Sequence, residues 1–113
     1  MNEIEKLYKN VGIEEPIARL KIFKDDNGKI YTQPPFTAEK QIELIKWLAN
    51  YERFCCWKFK PTNQWVIYDS TYLVDGRDIA NSNFEECLAS WVISIWDDLT
   101  EAEQNEIKNI LKG

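Results

Sequence analysis

Between positions 84 and 99 the apolar residues recur in alternating steps of three and four: Phe84, Cys87, Leu88, Trp91, Val92, Ile95, Trp96 and Leu99. That spacing marks one broad, continuous face of an α-helix. Ser82 with Glu85 three residues later has the form of a capping box, the hydroxyl accepting from a first-turn amide and the carboxylate reaching back to the cap amide. A helix is therefore predicted over 82–99. Each large apolar side chain on its face contributes ~1.5–3 kcal/mol when fully buried, which makes this helix the expected centre of the core. A second helix is predicted over 38–51 behind Thr37 as N-cap, with Ala38, Ile42, Ile45, Leu48 and Ala49 on one face and Leu44, Trp47 and Tyr51 widening it. Thr100 and Glu103 form another capping box, opening a helix over 101–111 that is expected to bury Ala102, Ile107, Ile110 and Leu111. A short helix over 2–10 carries Ile4, Leu7 and Tyr8 on one side.

Elsewhere the period changes. Gly12 and Pro16 interrupt the first helical pattern, and residues 17–23 read as a strand or extended arm leading into Asp25-Asp26-Asn27-Gly28. Asn-Gly is a strong hairpin signal because a type I′ turn needs positive φ at both central residues, so residues 20–23 are expected to pair with 29–32. Pro34-Pro35 stops the strand. From Arg53 the alternation is of period two, with Cys55, Trp57 and Phe59 on one side and Phe54, Cys56, Lys58 and Lys60 on the other. A turn at 61–64 returns the chain through Trp65 to Asp69, an antiparallel hairpin, and Tyr72-Leu73-Val74 reads as a third short strand before a turn at Asp75-Gly76. The expected fold class is α+β: a single domain spanning 1–113, with a small antiparallel sheet against two or three helices, single-layer or sandwich-like. One sheet face should receive helices. The other, which also carries aromatic residues, needs the N-terminal segment, a symmetry mate or a partner.

Composition narrows the function classes. An apolar share of 44% and an aromatic share of 13% over 113 residues argue against disorder and for one hydrophobic core. No apolar run approaches the ~18–20 residues of a membrane span, and the opening residues have no apolar signal core, so a cytoplasmic location is expected. Net charge is −5, and it is concentrated: residues 1–36 balance to zero, 37–70 to +1 and 71–113 to −6. An acidic C-terminal third disfavours contact with nucleic acid or anionic membrane and suits a partner with a basic surface. Arg53, Lys58 and Lys60 offer a small basic face, too little for direct nucleic-acid binding to be expected. With three cysteines, Cys55, Cys56 and Cys87, and no histidine, the expectation is reduced structural thiols, no metal and no cofactor.

Catalytic signals are weak. Ser70, Thr71 and Ser82 have no histidine to activate them, there is no phosphate-binding glycine loop, and Asp75-Gly76-Arg77-Asp78 lacks the spacing of a calcium loop. No enzyme is expected. Glu85-Glu86 suits a helix first turn, but Asp97-Asp98 falls near a helix end, where acid opposes the dipole. With Glu101 and Glu103 it forms an acidic group around a helix junction. Trp47, Trp57 and Trp65 fall where a helix or sheet surface is left open, as aromatics at binding surfaces do. These seven residues, Asp97, Asp98, Glu101, Glu103, Trp47, Trp57 and Trp65, are the candidate partner-binding set.

Three segments, IEKLYKNVGIE at 4–14, PPFTAEKQIELIKWL at 34–48 and NFEECLASWVISIWDDLTEAEQNEIKNILK at 83–112, resemble small proteins of unassigned function encoded in phages and prophages of Firmicutes. The resemblance implies a compact α+β accessory protein without a catalytic motif, acting on a host or phage protein. Its sharper implication is an inhibitor of a host defence enzyme, of the CRISPR or restriction kind, that presents acid where the enzyme expects phosphate. A homodimer through the sheet or aromatic surface fits the same picture. The alternative is a small-molecule-binding domain or small enzyme with a pocket between sheet and helices.

Overall fold

Asn2 accepts the Glu5 amide through Oδ1 at 2.9 Å and so starts α1, Glu3–Asn10. Leu7 and Tyr8 are fully buried and Ile4 packs against the core, as the spacing predicts. The computed structural model describes residues 2–17, 20–51, 54–69 and 78–113. Gly12 (φ +75°) turns the chain into β1, Glu14–Ile17, which pairs antiparallel with β2, Leu20–Lys24. The extended segment of the sequence pattern is thus a pair of strands. Pro16 sits in β1, an edge strand of the sheet β1-β2-β3, where a missing N–H is tolerated.

The Asn-Gly hairpin forms, with β2 pairing β3, Ile30–Tyr31, but its turn is not the two-residue type I′ turn. Only Gly28 has positive φ (+79°), and the loop runs from Asp25 to Lys29, closed by Asp25 N–H to the Lys29 carbonyl at 3.1 Å. Asp25 Oδ1 accepts from the Asn27 and Lys29 amides, both at 2.9 Å, an Asx arrangement that makes the longer loop the better-satisfied one.

Helix α2, Ala38–Tyr51, has the predicted limits and a different buried face. Leu44 and Leu48 are buried, with Ile45, Trp47 and Tyr51 packed at the margin, whereas Ala38 and Ala49 are exposed and Ile42 is 52% exposed. The helix lies against α4 and the start of β4, and those contacts select 44/48/51 over 38/42/49.

The second sheet has order β4-β5-β6: β4, Phe54–Phe59, pairs antiparallel with β5, Gln64–Asp69, which pairs antiparallel with β6, Asp78–Asn81. The predicted hairpin is present, its turn relieved by Asn63 at φ +54°. The strand expected at Tyr72–Val74 and the turn at Asp75-Gly76 lie outside the described residues. The third described strand is β6, where the sequence pattern suggests the end of a turn.

Helix α3, Phe84–Ile95, is central as expected, and lies against α1, β5 and β6. Cys87, Leu88, Trp91, Val92, Ile95 and Leu99 are buried, along with Ala89, while Phe84 and Trp96 are partly buried. Two details differ. The N-cap is Asn83, whose Oδ1 accepts the Glu86 amide at 2.9 Å, so Ser82 stands outside the helix; and the α-helix gives way to a 3-10 turn at Trp96–Asp98. Thr100 and Glu103 do form the capping box of α4, Glu101–Lys112. That helix buries Ile107 and Leu111 and half-buries Ile110, but leaves Ala102 exposed. The architecture is α+β: among the described residues there are four α-helices and two small antiparallel sheets, where one sheet is expected.

Candidate partner-binding surface

The register of β4-β5-β6 sorts its side chains into two faces. Cys56, Ile67 and Ile79 lie in line across the strands, as do Lys58, Trp65 and Asn81. This is the inner face: Ile67 is fully buried, Trp65 meets Phe84 edge-on at 5.1 Å, and the Cys87 thiol of α3 reaches the Ile79 and Trp65 carbonyls at 3.3 and 3.5 Å. Burial pushes the Cys87 thiol up to about 11, with the nearby Cys56 adding to it. Burial raises Cys56 as well. Both thiols are thus poor nucleophiles, and Cys87 acts as a small core residue.

The outer face carries Cys55, Trp57 and Phe59 from β4, Gln64, Val66 and Tyr68 from β5, and Ala80 from β6, with Trp57, Val66 and Ala80 in line. Trp57 is 48% and Phe59 38% exposed, their rings in edge-to-face contact at 5.4 Å. Tyr68 stands opposite Cys55, and the hydrogen bond between them holds the phenol above its ordinary value. Register also places Asp78 of β6 on this face, opposite Tyr68. Among the described residues the N-terminal elements pack elsewhere: α1 lies on α3, and β1-β2-β3 is a separate sheet. That sheet has an apolar exposure of its own, Leu20 at 68% and Ile30 at 56%.

The seven candidate residues do not form one site. Trp57 is on the outer face and Trp65 on the inner face of the same sheet, where Lys58 Nζ lies 5.5 Å from the Trp65 ring. Trp47 stacks on Tyr51 at 5.0 Å and donates its indole N–H to Glu106 Oε2 at 2.7 Å, tying α2 to α4. It shares a shallow groove of ≈ 300 Å³ with Asn50, Tyr51, Glu103 and Glu106. Asp97, Asp98 and Glu101 are exposed at the junction of α3 and α4, but Glu103 is half-buried, its carboxylate engaged by the Thr100 amide at 2.9 Å. Trp57, Asp97, Asp98 and Glu101 thus remain presented to solvent, and Trp47, Trp65 and Glu103 serve the fold. Phe59, Val66 and Tyr68 complete the aromatic face around Trp57; alternation and pairing of the two strands were the signal for them. Arg53, of the small basic face, lies outside the described residues.

A separate cleft of ≈ 540 Å³ opens between the β2-β3 turn, the start of α2 and the end of α4, lined among others by Tyr31, Pro35, Lys40, Glu43, Asn109 and Ile110. Burial lowers the Lys40 ammonium, and Asp25 and Asp26 act against that shift. Asp25, itself lining the cleft, is shifted up by desolvation, but hydrogen bonds from the Lys29 and Asn27 amides and the Tyr31 hydroxyl outweigh this and hold it below the usual carboxylate value. Among the described residues no group of three or more His, Cys, Asp or Glu side chains is placed to hold a metal ion, and no helix is long and apolar enough to cross a membrane. No family model, no curated protein and no solved structure matches the chain.

Proposed function

We propose that this chain is a non-enzymatic accessory protein that acts by binding another protein. The supporting observation is the outer face of β4-β5-β6, where Trp57 and Phe59 stand half-exposed in edge-to-face contact. Leaving two large aromatics in water is unfavourable by ~25 cal/mol per Å² of apolar area, and a partner that covers them recovers that free energy. The sharper form is inhibition of a host defence enzyme in a bacterial cytoplasm. Its support is the phage-like character of three sequence segments and the exposed acid at Asp97, Asp98 and Glu101, which suits a basic groove.

Affinity capture from a plausible bacterial host tests this with three baits: the wild-type chain, Trp57→Glu, and the triple variant Asp97→Asn, Asp98→Asn, Glu101→Gln. The expected result is a partner that rebinds in purified form and is lost with one of the two altered baits. A partner retained equally by all three, or none that rebinds when purified, overturns the proposal.

The cleft beside Tyr31 and Lys40 favours a second reading, a small-molecule-binding domain. A saturable rise in melting temperature with a low-molecular-weight ligand, abolished by Lys40→Met, supports it. No shift across a broad metabolite panel removes it.

A further inference from the structure

We infer that the shallow groove between the end of α2 and the first half of α4, lined by Trp47, Asn50, Tyr51, Glu103 and Glu106, is a socket for an arginine side chain of a basic partner protein. The inference rests on the reading of the acid at the α3–α4 junction as a surface that meets such a partner, and it names the side chain taken there. Charge selects a cation. No lysine or arginine occurs between Arg77 and Lys108, a stretch that holds eight acids, and none among the described residues lines the groove. Glu103 and Glu106, three residues apart, lie on one side of α4. Each commits one oxygen to the fold, Glu103 Oε1 to the Thr100 amide and Glu106 Oε2 to the Trp47 indole, and each keeps a second oxygen with no hydrogen bond from a described residue. Helix α2 ends at Tyr51 with no basic residue in its last turn, so the negative end of its dipole adds to the same potential.

The aromatic wall selects a guanidinium over an ammonium. Trp47 is half-buried, stacked on Tyr51 at 5.0 Å with the ring planes 20° apart, and it lines the groove together with both carboxylates. A guanidinium is flat enough to lie against an indole while donating in a fork to a neighbouring carboxylate, whereas an ammonium is a compact, strongly hydrated point charge that gains less from either contact. Size agrees. At ≈ 300 Å³ the groove is at the low end of the ~300–1,000 Å³ of ligand sites, room for one long side chain rather than for a helix or strand. The walls are also set in advance: Tyr51 and Glu106 hold Trp47, and the capping box holds Glu103, so little ordering is required when the cation arrives. Glu101 stands in the same first turn of α4, with Asp97 and Asp98 exposed just before it, so further bases of the partner add to the contact. One arginine alone binds weakly at so open a site, and salt weakens it further.

Titration of the nitrogen-15-labelled chain with N-acetyl-arginine methylamide, and with its lysine and citrulline counterparts, tests the inference. The readout is the indole N–H resonance of Trp47, assigned by its absence from Trp47→Phe. A saturable shift of that resonance is expected, tighter for arginine than for lysine, absent for uncharged citrulline and weakened by sodium chloride. Glu103→Gln and Glu106→Gln keep the capping and indole acceptors, so the fold is retained, and each is expected to weaken arginine binding about fivefold, the effect of one charged acceptor at an exposed site. Glu85→Gln makes the same change of net charge at the start of α3 and should leave binding unchanged. No saturable shift, citrulline equal to arginine, arginine no tighter than lysine, or an effect of Glu85→Gln equal to that of Glu103→Gln overturns the socket. The partner-binding reading stands or falls separately, by recapture of a purified second protein in the experiment above.

Discussion

Trp47 of α2 and Glu106 of α4, fifty-nine residues apart, are joined by an indole N–H donated to a carboxylate oxygen at 2.7 Å. The tryptophan is also stacked on Tyr51, so it packs on its own helix and clamps the next. A neutral donor on a charged acceptor is a strong hydrogen bond, weakened here by solvent exposure to about 1 kcal/mol net. Trp47→Phe keeps most of the stacking and should lower stability by about that amount. Glu106→Gln should cost less, and the double variant should fall short of the sum, the coupling read by urea unfolding in a double-mutant cycle.

The start of α3 offers a discriminating pair. Asn83→Ala removes the acceptor of the Glu86 amide and should destabilise by about 1 kcal/mol, whereas Ser82→Ala should stay within about 0.5 kcal/mol of wild type. Denaturation midpoints of the two variants decide it. Equal losses would return the cap to Ser82.

Leu44 and Ile42 are two residues apart on α2 and in opposite environments, one fully buried and the other half in water. Leu44→Ala should cost about 2–5 kcal/mol through lost burial and the cavity it leaves. Ile42→Ala should change stability by no more than about 0.5 kcal/mol. The same measurement on both establishes the buried face of the helix.

Alkaline pH should unfold the protein by way of two buried protons. Cys87 is shifted from 9.0 to about 11 by burial, and the Tyr8 phenol is shifted above its ordinary 10.0 by the same cause. A group whose folded pKa is raised holds its proton more tightly when folded, so the associated stability is intact below the unfolded value and disappears as pH climbs through the folded one. The melting temperature should therefore be flat below pH 9 and fall progressively between 9 and 11. Cys87→Ala should flatten most of that decline. Tyr8→Phe should flatten only the part above pH 10, and since the Tyr8 hydroxyl is buried without a hydrogen-bond partner among the described residues, that variant should match or exceed wild-type stability at pH 7.

What the sequence determined by itself is local. The three-and-four spacing placed all four helices, Thr100 and Glu103 marked the start of α4, and period-two alternation placed the β4-β5 hairpin, because each is set by residues within one or two turns of chain. Where local signals were degenerate, tertiary structure chose. Ser82 with Glu85 and Asn83 with Glu86 have equivalent spacing, and β6, ending at Asn81 with its Oδ1 on the Asn83 amide, sets which of them opens α3. Apolar residues on α2 admit two overlapping faces, and the positions of α4 and β4 decide between them. The candidate surface shows the same division. Alternation put Trp57 and Phe59 on one side of β4, but only the placement of α3 against the opposite face determined that theirs stays in water, and only cross-strand register added Val66 and Tyr68 to it. Burial is a property of what lies across the interface, which no stretch of chain encodes alone.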